Sequence, residues 1–132
     1  MRAVLASFLG VLCCLASSPL ESRLDRQLKS WQKRLGLEEW RLSLRVVRQS
    51  QLDPNSWGTA EWNPKSKTGM INVLDPRDYN LKGDALKLDL ECTIVHELVH
   101  IQLSPLKADH YAEGEEVVNK IMTAVMNRPC IN

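Results

Sequence analysis

The chain has 132 residues, 44% of them apolar and 25% charged, with a formal charge of +1 and a sequence pI near 7.7. That balance fits one domain with an ordinary core and excludes a disordered or fibrous chain. The 17 basic residues are dispersed rather than gathered into a run, so nucleic acid is not an indicated partner.

At the N-terminus, Arg2 precedes the almost wholly apolar residues 3–15, and the small residues Ala16, Ser17 and Ser18 follow. This is the order of a secretory signal peptide. Residues 1–16 are expected to be removed, leaving a single domain over residues 17–132 that is secreted or periplasmic. The apolar run is short for a bilayer span, so no stable membrane association is expected after cleavage, and the mature chain is expected to be a monomer. Cys92 and Cys130 remain in that domain. In an oxidising compartment they form either a disulfide tying the C-terminus to the central helix or two separate thiols.

Leu24, Leu28, Trp31 and Leu35 fall at helical spacing, which predicts an amphipathic helix over residues 22–36 with a Ser22/Asp25 capping box and Gly36 as its stop. Trp40, Leu42, Leu44 and Val46 alternate with Arg41, Ser43 and Arg45, the period of a half-buried strand that the turn Asp53-Pro54-Asn55-Ser56 ends. Two more short strands are predicted at residues 57–62 and 68–74, joined as a hairpin or meander by Asn63-Pro64-Lys65-Ser66-Lys67. Residues 84–103 carry a long helical pattern that stops before Pro105. A second runs over residues 108–126, with Val118, Met122 and Val125 on one face. The expected fold class is α+β: an N-terminal helix, a short, mostly antiparallel sheet of about three strands, and two late helices.

The first late helix holds His96-Glu97-Leu98-Val99-His100. Residues four apart lie one turn above each other, so both imidazoles can converge on one ion. Zinc suits nitrogen and carboxylate donors in a tetrahedral shell with one position open to water. Glu97, beside the first ligand, can reach that water and act as general base for peptide hydrolysis. The neighbours Ile94, Val95, Leu98, Val99, Ile101 and Leu103 mark the helix as buried, where two histidines need polar partners and a metal supplies them. Cys92, a full turn before His96, is not taken as a ligand.

The third ligand is sought downstream among Asp109, His110, Glu113, Glu115 and Glu116. A third-histidine pattern would need glycine three residues and histidine six residues after His100, and Leu103 and Leu106 stand there. Glu115 shares a face with Val118 and Met122, whereas Glu116 lies over Asn119, Lys120 and Thr123. Glu115 is therefore the preferred ligand and Glu116 the alternative. Asn119, one turn after Glu115, is either an outer partner that orients a ligand or an ordinary helix-surface amide. His110 and Tyr111 are read as polar loop residues, and Trp31, Trp40, Trp57 and Trp62 as packing residues.

With two histidines on one helix and a glutamate on the next, the chain resembles the glutamate-ligand branch of the zincin metallopeptidases, the gluzincins. Its size resembles the minimal minigluzincins. Trp31-Gln32-Lys33-Arg34-Leu35-Gly36-Leu37 and Trp57-Gly58-Thr59-Ala60-Glu61-Trp62 also look like segments of such proteins. The resemblance implies a zincin-like domain with one Zn2+ on His96, His100 and Glu115. It implies a cleft floored by the zinc helix and rimmed by the strand at residues 68–74, to which an extended peptide substrate would add as a strand. The competing expectations are an inactive zinc-binding relative that recognises a peptide at that edge, and a disulfide-stapled binding module without metal.

Overall fold

The structure is a computed structural model that describes residues 17–106 and 111–130, apart from the side chains of residues 111–113. The expected signal peptide, Asp109, His110 and the side chains of Tyr111 and Glu113 lie outside the described residues.

Helix α1 (Pro19–Arg34) is followed by strands β1 (Arg41–Val47), β2 (Gly58–Asn63) and β3 (Thr68–Leu74), then by helices α2 (Gly83–Leu103) and α3 (Tyr111–Met126). This is the expected α+β class. Helix α1 begins a turn earlier than the Ser22/Asp25 pattern suggested. The Ser18 hydroxyl accepts from the Glu21 N–H at 3.2 Å, and Pro19 takes the first helical position, where a missing N–H costs nothing. The chain leaves the helix through Gly36 at φ +68°, and the Gln32 amide, buried beneath this turn, donates to the carbonyls of Leu37 and Trp40.

The sheet order is β1-β3-β2, with β2 antiparallel and β1 parallel to β3. The hairpin between β2 and β3 is the expected one. Residues 48–57, which include a 3₁₀ turn at Gln49–Gln51, carry the chain from β1 past β3 to the far edge, and so the sheet is mixed. The register aligns Leu42 with Gly69, Leu44 with Ile71 and Val46 with Val73 on one face, and Ala60 joins that face across from Ile71. A one-residue slip would turn this apolar set outward.

Helices α1 and α2 cover this face, and α3 packs on α2. Because α2 has neighbours on several sides, it is apolar almost all round: Leu90, Cys92, Ile94, Val95, Leu98, Val99 and Ile101 are all buried. The large ones contribute about 1.5–3 kcal/mol each by burial. Of the two cysteine alternatives, the disulfide is the one formed: Cys92 on α2 bonds Cys130, just past α3, with Cα atoms 6.0 Å apart. No helix among the described residues is long and apolar enough to cross a membrane.

One buried carboxyl sits outside the cleft. Asp89 is only 5% exposed and stands against the buried hydroxyl of Tyr79, outside good hydrogen-bond geometry. Burial pushes the Asp89 carboxyl above the usual range. A carboxyl that holds its proton more tightly when folded stabilises the fold below its unfolded pKa, near 4, and that contribution is lost as pH rises. Asp89→Asn is therefore expected to raise stability by about 1 kcal/mol at neutral pH, with the gain shrinking toward pH 4. Urea melts at both pH values measure it.

Candidate metal centre

Helix α2 places His96 and His100 one turn apart, with Glu97 beside the first. Helix α3 returns antiparallel to α2, since Glu115 meets the histidines while Cys130, at the other end, meets Cys92. The buried face formed by Val118, Met122 and Met126 fixes its rotation and turns Glu115 and Asn119 toward the histidines.

His96 Nε2 lies 3.1 Å from His100 Nε2 and 3.1 Å from Glu115 Oε2, and His100 Nε2 lies 2.8 Å from Glu115 Oε1. Donor atoms of these three residues all fall within 4.8 Å of one another. Ligands about 2.0–2.1 Å from a tetrahedral ion stand about 3.3 Å apart, so the observed triangle needs only slight widening to hold a metal ion. These are also hydrogen-bond distances, so a proton on His100 Nε2 can hold the group together until a metal ion replaces it.

Asn119 supports the first histidine. Its Oδ1 accepts from His96 Nδ1 at 3.0 Å, which places the ring proton on Nδ1 and leaves a lone pair on Nε2, facing the other donors. Burial, and then the neighbouring His100, hold the His96 imidazole below its ordinary pKa. Asn119→Ala is expected to weaken metal binding about 10- to 100-fold, read by competition with a chelating dye.

Glu116, the alternative ligand, points to solvent and pairs with Lys120 at 2.6 Å. The donors are thus His96, His100 and Glu115, and the disulfide occupies Cys92. Glu97 is 7% exposed and lines the cleft beside the three donors, and burial, followed by the charge of Glu115, pushes its carboxyl up to about 8. A cation held by the three neighbouring donors would draw this carboxyl back toward its ionised form, the form that can accept a proton.

The cleft over these residues has a volume of about 450 Å³ and is walled by Trp57, Gly58, Thr59, Ala60 and Trp62 opposite Thr93, Glu97 and Glu115. Its rim differs from the one expected. Strand β3 is central, with both edges taken by β1 and β2, so among the described residues the strand with a free edge at the cleft is β2. Gly58 brings β2 down onto α2: a Cβ there would lie 2.5 Å from Thr93 Cγ2 and 2.8 Å from the Asn72 carbonyl oxygen, and 3.6 Å from Glu97 Oε1. Any side chain at position 58 would lift the edge strand off the metal helix. Sequence reasoning missed the roles of Gly58 and Thr93, for which the only signal was a glycine inside a strand pattern.

The arrangement is a group of three donors on two helices that could hold a metal ion, with a buried carboxyl beside it and, among the described residues, an open strand edge above. No protein-family model matches the chain, and comparisons with curated proteins and with solved structures likewise find no match.

Proposed function

We propose that this chain is a secreted or periplasmic zinc endopeptidase of the glutamate-ligand zincin type. The observation that carries the reading is the convergence of His96, His100 and Glu115, with Glu97 at their side, on a cleft bordered by a free strand edge. Two imidazoles and a carboxylate match zinc in a catalytic rather than a closed structural site. A bound zinc would polarise the scissile carbonyl and acidify a water. The unpaired N–H and C=O groups along β2 hold an extended peptide across the site by strand addition. Gly58 keeps that strand close enough for the peptide bond to reach Glu97. Glu97 takes the proton from the attacking water and passes it to the departing amine, so one peptide bond and one water become a carboxylic acid and an amine. The chain acts as a monomer on peptide or protein substrates and not on nucleic acid.

A second reading, an inactive relative that binds zinc and recognises peptides, is favoured by one observation. Among the described residues that line the cleft there is no Lys, Arg or Tyr to share the charge of an oxyanion. The first test is zinc per chain in the purified mature protein beside His100→Ala. One tightly bound zinc that the variant loses supports the centre and opens a peptide-library search for cleavage. No zinc in either protein overturns both readings and leaves a disulfide-stapled binding module.

A further inference from the structure

Of the four tryptophans, Trp31 and Trp40 are buried in the core and Trp57 stacks on Tyr79 with ring centroids 5.0 Å apart. Trp62 differs. It is 37% exposed, it lies on the free-edge strand β2, and it lines the metal cleft. Its cross-strand partner is Gly69, which contributes no side chain against the indole, and part of the ring stays open to the cleft. A Cβ at Gly69 would come within 3.2 Å of Trp62 Cβ, 2.9 Å of the Glu61 carbonyl oxygen and 3.0 Å of Leu42 Cδ2. Packing across a glycine accounts for a large side chain at this position. It does not account for an indole left open at the rim of the cleft, on an edge that proteins ordinarily guard with charge.

The strand period ties this indole to the centre. Residues two apart on a strand share a face, so Gly58, Ala60 and Trp62 point to the same side of β2. At Gly58 that side approaches Glu97. The face therefore carries no side chain beside the general base, a methyl next, and an indole at its far end, about 14 Å along at ~3.4 Å per residue.

We infer that Trp62 forms a subsite for an aromatic or large aliphatic side chain of an extended peptide, about four residues from the bond that lies over Glu97. This rests on the peptidase reading of the centre. A peptide strand paired with β2 places the side chain opposite Trp62 on the same face as the indole, close enough for the two to bury each other. Residues opposite Gly58 and Ala60 meet little side-chain surface, so selectivity concentrates at the distal position.

The test uses the full mature chain loaded with zinc and a library of unstructured peptides, with cleavage sites read by mass spectrometry. Aromatic and large aliphatic residues are expected to be enriched three to five positions from the scissile bond, on one side only. For matched peptides with Phe or Ala at that position, kcat/KM is expected to favour Phe about tenfold. Trp62→Thr, which retains strand propensity, should bring the ratio near unity, and Trp62→Phe should restore most of it. An unchanged ratio in Trp62→Thr overturns the subsite and leaves the peptidase reading standing. If nothing is cleaved, the same peptide pair is titrated into zinc-loaded Glu97→Gln. Tighter binding of the Phe peptide that Trp62→Thr abolishes supports the subsite while overturning turnover, and equal or absent binding overturns the subsite as well.

Discussion

Glu97→Gln is expected to keep one zinc per chain and to lower kcat roughly a thousand- to ten-thousandfold. The two expectations separate because Glu97 stands beside the three donors without being one of them. Glutamine has nearly the same shape, so it leaves Gly58 and Thr93 in place and the edge strand seated on the helix. What it removes is the carboxylate that accepts the proton of the attacking water and passes it on. Zinc content by mass spectrometry and initial rates on the best library peptide measure both effects. A variant that keeps both zinc and full turnover would place the base elsewhere. Zinc in both proteins with turnover in neither would favour the peptide-recognising relative.

Removing the Cys92–Cys130 disulfide carries the largest expected cost to stability. The bridge spans 38 residues and encloses most of α2 and all of α3. Closing a loop of that length restricts the unfolded chain by about 4 kcal/mol on the chain-entropy account, a large share of the ~5–15 kcal/mol that holds an ordinary domain folded. Cys92→Ala with Cys130→Ala is therefore expected to lower Tm by on the order of 15 °C, measured by calorimetry beside the wild type. The metal site should weaken too. Cys92 lies one turn before His96 and Cys130 lies beyond the helix that carries Glu115 and Asn119, so the bridge holds the carboxylate helix against the histidine helix. A double variant that melts with the wild type would show that α3 is held by its apolar face alone.

How much was legible in the sequence follows from how far each feature reaches along the chain. The histidine pair and Glu97 share one turn and a half of a helix whose period is unambiguous, and their grouping could be read directly. Glu115 was preferred over Glu116 through the same periodicity, because Val118 and Met122 define the buried side of α3. The structure agrees, with Glu115 at the histidines and Glu116 on Lys120. The start of α1 was misplaced by a turn, since the Ser18-Pro19 pair gives a helix start without the apolar spacing that marks its interior.

The sequence by itself determined the element types, the apolar faces and the pairing of His96 with His100, and narrowed the third candidate donor to Glu115 or Glu116, because these depend on periodicity and on residues a turn or two apart. Only the tertiary structure decided which strand is the rim, that Gly58 seats it on α2, and that Cys92 reaches Cys130. The alternation in β1 specifies which face is buried but not which neighbour it pairs with. The 1-3-2 order comes from the path of residues 48–57 and from covering the shared apolar face with α1 and α2. That choice frees the edge of β2 instead of β3 and brings Trp62 to the cleft.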